Sequence, residues 1–122
     1  MGSATPIPTP ESAVAAIRVR KRADRVQLLR ENAEQLLKQH PGSSLWLFGS
    51  LARGDWDAFS DVDVLVVAPE RTRAEQLAND VLASGIADDV LALTLQEWDQ
   101  RQHDSDPYWS AIVQDALCLA TR

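Results

Sequence analysis

The sequence predicts an α/β or α+β domain, a small β-sheet flanked by helices. Three observations predict it. Short apolar runs, too brief for helices, recur at SLWLF, VDVLVV and DVLALT. Around them, apolar residues fall at three- and four-residue spacing with charges between. Breakers separate the two patterns at Pro41-Gly42, Gly49-Ser50, Ala68-Pro69 and Ser84-Gly85. The resulting order is α-β-α-β-α-β-α, with no internal repeat.

Each element follows from local pattern. Residues 1–10 carry Pro6, Pro8 and Pro10 among small polar residues and read as a disordered tail, leaving 11–122 as one domain. Glu11 to His40 reads as a helix through Val26, Leu29, Ala33, Leu36 and Leu37, stopped by Pro41-Gly42. Ser44 to Phe48 is a strand, ended by Gly49-Ser50, and Leu51 to Gly54 a short helical turn. Val62 to Val67 is the second strand, and Arg71 to Ala83 a helix through Ala74, Leu77, Ala78, Val81 and Leu82. Asp89 to Thr94 is the third strand and Gln96 to Arg101 a short helix. Ser105 or Asp106 then caps a last helix from Trp109 to Leu119, with Ile112, Val113, Ala116 and Leu117 on one side.

Composition narrows the function. The 122 residues suit one domain, and 45% hydrophobic with 25% charged is ordinary for a globular protein. The single cysteine, Cys118, excludes an internal disulfide framework and fits a reducing cytoplasm. No apolar run approaches the roughly 18 residues that span a bilayer, and no signal-peptide pattern opens the sequence, so no membrane association is expected. A net charge of -6 gives no overall attraction for polyanions, which argues against a duplex DNA partner.

The chemistry concentrates in LFGSLARGDWDAFSDVDVLVV, Leu47 to Val67. Period-two alternation puts Asp61 and Asp63 on one face of a strand, with Val62 and Val64 on the other. Two carboxylates so close repel, unless a divalent cation lies between them. Mg²⁺ favours a few carboxylates together with phosphate oxygens. The competing reading is a pair of solvated residues at a loop end. Gly49 allows a ligand to approach the backbone, Ser50 brings a hydroxyl and free N–H groups, and Arg53 offers a forked positive contact to phosphates. The competing reading there is a serine-capped turn with Arg53 in solvent.

Taken together, a strand, Gly-Ser, ten intervening residues, Asp-x-Asp and a second strand resemble the DNA polymerase β-like nucleotidyltransferase superfamily. LFGSLARGDWDAFSDVDVLVV is most similar to the minimal nucleotidyltransferases, the antitoxin-type partners of HEPN-domain toxins. The resemblance covers the chain from about Ser44 to the last helix. It implies a polymerase β-like fold with a small mixed sheet, ATP as substrate, and two Mg²⁺ ions held by Asp61, Asp63 and a third aspartate on the next strand. ADDVLALT offers Asp88 and Asp89; Asp89 directly precedes the apolar strand and is the expected third ligand, with Asp88 the alternative. Gly49, Ser50 and Arg53 would bind the triphosphate, and Asp89 would orient or deprotonate the acceptor hydroxyl. The implied activity is transfer of AMP to a HEPN toxin, neutralising it. Two alternatives stay open: an antitoxin that only masks its toxin, and a small-molecule (antibiotic) nucleotidyltransferase, which usually needs a second helical domain.

Other features read as structural. IRVRKRADR, Ile17 to Arg25, is expected to be a solvated helix face rather than a nucleic-acid contact. Trp56 is expected to cover the core, His40 and His103 to lie on the surface, Tyr108 and Trp109 to pack or meet a partner, and Cys118 to be a buried small hydrophobe.

Overall fold

A strand that is apolar on both faces must be covered from both sides, and this sequence has several such strands. The computed structural model describes residues 9–55 and 60–122; residues 1–8 of the expected tail, and Trp56, lie outside the described residues. The chain runs α1 (Pro10–Leu37), β1 (Ser44–Phe48), α2 (Ser50–Arg53), β2 (Asp63–Ala68), α3 (Arg71–Ser84), β3 (Asp89–Thr94), α4 (Leu95–Gln102), α5 (Pro107–Asp115) and β4 (Leu117–Thr121). The strands form one mixed sheet in the order β3-β2-β1-β4. β1 is antiparallel to both β2 and β4, whereas β2 and β3 are parallel and joined through α3, as a parallel pair requires a crossover. The expected fold class is therefore the observed one.

Alternation sorts the strand residues into two cores. Leu45, Leu47, Val64, Val66 and Leu119 pack against Val26, Leu29, Ala33 and Leu37 of α1 and Leu77, Ala78 and Val81 of α3. On the opposite face Leu65, Val67 and Leu93 meet Trp98 of α4, with Trp46, Phe48, Leu91 and Trp109 packed around them. Thr94 and Glu97 close a reciprocal capping box at the start of α4, and Asp106 caps α5 by accepting the Tyr108 N–H. None of the described helices is long and apolar enough to cross a membrane.

Four expectations change. The final helix stops at Asp115, and Leu117–Thr121 turns into β4 on the free edge of β1. Leu117 fits a helical stripe with Val113, but it equally fits a period-two series with Leu119 and Thr121. Periodicity cannot separate these over so few residues, and the unpaired backbone groups of β1 decide it. Cys118 is only half-buried in that strand, where burial pushes its thiol pKa up. Helix α1 begins at Pro10, capped by the Thr9 hydroxyl, one residue ahead of the expected start at Glu11. His40 is not a free surface residue: its side chain is 11% exposed and its Nε2 lies 2.8 Å from Asp80 on α3. His103 is exposed as expected.

The first turns of α1 stand clear of the body. Every residue from Thr9 to Lys21 is exposed, Val14, Ile17 and Val19 among them. Arg22 is the first side chain of the helix to be covered.

Leu119 tests the corrected C-terminus. It is 4% exposed within the core shared with α1, so Leu119→Ala is expected to cost about 2–5 kcal/mol in urea unfolding.

Candidate active site

The end of β1 sets the site. Phe48 pairs with Asp63 across the antiparallel ladder, which brings the first residue of β2 beside the turn that follows β1. The next residue, Gly49, has φ 79° and ψ -158°, a region essentially restricted to glycine. A Cβ built there would stand 2.5 Å from Asp63 Oδ2. The glycine therefore satisfies two demands at once: the backbone angle and the room for a carboxylate.

Ser50 opens α2, a single turn in which the Arg53 and Gly54 N–H groups donate to the Gly49 and Ser50 carbonyls, each at 3.0 Å. Leu51 is fully buried in the core with α1 and anchors the turn, while Ser50 stays half-exposed beside Asp63's strand.

Asp63 and Asp89 are register partners across the parallel β2–β3 pair. Asp63 leads the series Asp63, Leu65, Val67, and Asp89 the series Asp89, Leu91, Leu93, so both carboxylates lie on the face that carries α4. Burial pushes the Asp63 carboxyl up from its ordinary value, and the charges of Asp89, Asp61 and Asp88, with a side-chain hydrogen bond to Asp89, push it further the same way.

Asp88 has a different position. Its Oδ2 accepts the Val62 N–H at 2.7 Å, while the Val62 carbonyl accepts the Asp88 and Asp89 N–H groups at 2.9 and 3.3 Å. Asp88 thus clamps the start of β2 and leaves Asp89 abreast of Asp63. Asp61 is exposed just ahead of the strand and reaches Asp63 by its charge. Among the described residues, no three His, Cys, Asp or Glu side chains converge closely enough to hold a metal ion. The donor set nonetheless fits a hard cation: two adjacent carboxylates whose repulsion a divalent ion would relieve, with a third at the rim.

Arg53 points elsewhere than the expected phosphate contact. Its Nη1 donates to Asp115 at 2.9 Å and its Nε to Asp55 at 3.2 Å. These hydrogen bonds raise its pKa, that to Asp115 most. Nothing in the sequence could have paired Arg53 with a residue so distant.

Arg22 was legible in part. It lies four residues ahead of Val26 and extends the buried stripe of Val26, Leu29, Ala33 and Leu37. The expected solvated face is wrong for this residue: its Nε donates to the Leu51 carbonyl at 2.8 Å and its Nη2 to the Ala52 carbonyl at 2.7 Å.

Residues 28–109 match the model of a family described as the nucleotidyltransferase domain. Among solved structures, a candidate nucleotidyltransferase from Sulfolobus solfataricus is 20% identical, with a TM-score of 0.55 over 86% of this chain and 87% of that one. At that identity the likeness is one of fold. A toxin–antitoxin structure with AMP-PNP is also 20% identical over 76% of this chain and 73% of that one, at a TM-score of 0.49. A mutant of the toxin–antitoxin MntA-HpeT is 22% identical over the same shares, at 0.48. No curated protein is significantly similar to the chain.

Two substitutions test this geometry. Gly49→Ala forces a side chain into a glycine-only conformation and against Asp63, and is expected to cost about 1–3 kcal/mol in chemical denaturation. Asp63→Asn should act the other way without metal. A carboxyl whose folded pKa is raised stabilises the fold while protonated and loses that contribution as pH rises through the raised value. The Asn variant should therefore melt above the wild type at about pH 7 in EDTA, and the gap should close at about pH 3. An equal gap at both pH values would contradict the repulsion at Asp63.

Proposed function

The chain belongs to the nucleotidyltransferase domain family, and we propose that it transfers AMP from ATP to a hydroxyl group on a partner protein. One observation carries this reading: the Gly49 backbone lies directly against the Asp63 carboxylate, with Asp89 abreast of it. A turn open to a phosphate chain thereby adjoins a pair of cation-seeking carboxylates.

In this reading Gly49 and Ser50 bind the triphosphate through backbone N–H groups and the Ser50 hydroxyl. Arg53 joins them by exchanging Asp115 for a phosphate oxygen. Asp61, Asp63 and Asp89 hold Mg²⁺, which when bound supplies neutralisation of the triphosphate charge and of the leaving pyrophosphate. Asp89 takes the proton of the acceptor hydroxyl. The acceptor oxygen bonds to the α-phosphorus, the α–β phosphoanhydride bond breaks, and pyrophosphate leaves. Asp88 takes no part in the transfer and serves the strand.

The acceptor follows from the resemblance of LFGSLARGDWDAFSDVDVLVV to the minimal nucleotidyltransferases: a tyrosine of a HEPN-domain toxin, whose modification neutralises it. The protein would be the antitoxin of that pair.

The test is incubation of the full chain with labelled ATP, Mg²⁺ and a HEPN protein, followed by mass spectrometry of the acceptor. The expected result is a gain of AMP on a tyrosine. Asp63→Asn should lower the transfer rate by about a hundredfold or more, the scale on which loss of a catalytic group is felt. An Asp63→Asn chain that modifies the partner at the wild-type rate would sink the proposal. Neutralisation of the toxin by that variant without transfer would instead establish masking.

A further inference from the structure

The α2 turn is four residues long, too short to satisfy its own carbonyls. The Gly49 and Ser50 carbonyls accept the Arg53 and Gly54 N–H groups. The Leu51 and Ala52 carbonyls come next in the turn. Here Gly54 ends the helix in a left-handed conformation, with φ 92°. Arg22 donates to both, its guanidinium taking the two carbonyls in one fork at 2.8 and 2.7 Å. These are charge-assisted bonds in a partly covered position, and the fork geometry fixes direction as well as distance.

The origin of that guanidinium matters. It reaches 29 and 30 residues along the chain, from the point where α1 first meets the body of the protein. Leu51 anchors the turn from inside the core, and Arg22 holds its carbonyl end from outside. Between them they set the direction in which Gly49 and Ser50 present their N–H groups. The bonds of Arg22 go to the two residues that follow them.

We infer that Arg22 is a positioning residue for nucleotide binding: by gripping the Leu51 and Ala52 carbonyls in one fork it holds the Gly49–Ser50 turn in the geometry that receives the triphosphate. The inference rests on the proposed function, because it takes that turn as the phosphate site. It also assigns a task within the basic cluster IRVRKRADR to one residue, leaving Arg18, Arg20, Lys21 and Arg25 on the exposed surface.

The test uses the full chain and MgATP, read by calorimetric titration, together with amide hydrogen exchange in the nucleotide-free protein. Arg22→Ala is expected to raise the Kd for MgATP about tenfold, the scale of a small misplacement of a binding group. Arg22→Lys, a point charge able to reach one carbonyl, should raise it about threefold. Exchange at Arg53 and Gly54 should quicken while exchange within β2 stays unchanged. A merely structural role would lower the melting temperature of either variant and leave its Kd at the wild-type value, which would overturn the inference. If Arg22→Ala does not fold, Arg22→Lys decides by the same criterion. Wild-type chain that fails to bind MgATP would mark failure of the functional reading instead, and the exchange data would then report on the turn alone.

Discussion

Phe48 pairs with Asp63 at the last rung of the β1–β2 ladder, and one residue later the chain turns at a glycine that lies against that aspartate. The site depends on this register. A slip of one residue would move Asp63 to the other face of the sheet, against the apolar side chains of α1 and α3, where a carboxylate has no water and no partner. It would also put a side chain where Gly49 now leaves room. The ladder holds its register because the two faces of β2 are filled differently: Val64 and Val66 face α1 and α3, Leu65 and Val67 face α4.

That same strand accepts an electrostatic cost. Asp63 stands beside Asp89, partly desolvated, with Asp61 and Asp88 adding charge of the same sign. The next four residues, Val64 to Val67, are wholly buried. Burying each such side chain contributes about 1.5–3 kcal/mol, which offsets carboxylate repulsion with a wide margin. Asp88 adds a local restraint by binding the Val62 N–H just ahead of the strand. The carboxylates thus sit at the end of an element too well packed to yield to their repulsion. A cation would find the pair already aligned.

How much of this the sequence discloses depends on the range of the cause. DVDVLVV reads as a strand because alternation and the following breaker are local, and β3 reads equally well from DVLALT. Asp89 is expected over Asp88 because it directly precedes the apolar strand, but its place opposite Asp63 depends on the parallel register with β2, which no local pattern discloses. The strand β4 was hidden because LCLAT is short and apolar, and the edge it pairs with lies some seventy residues earlier in the chain. His40 with Asp80, and Arg53 with Asp115, are pairings between elements that only the sheet order brings together. Arg22 falls between these cases: its place on the buried stripe is visible, but not its two carbonyl partners.

The unforeseen strand also bears on the site. Pairing of β4 with β1 fixes the chain at Leu117, and only Ala116 separates that strand from the end of α5, so Asp115 is held close to α2. The turn is consequently gripped from two sides, by Arg22 from α1 and through Arg53 from α5. The two grips differ in kind. Arg22 binds carbonyls in a partly covered position, and nothing in the proposed reaction requires it to let go. Arg53 is half-exposed, and an ion pair in such a setting contributes little because water and salt compete for both groups. In the proposed function, a triphosphate, with more charge than one carboxylate and several more acceptor oxygens, would take Arg53 from Asp115 at small cost. The arrangement would then separate a support that persists from a contact that exchanges.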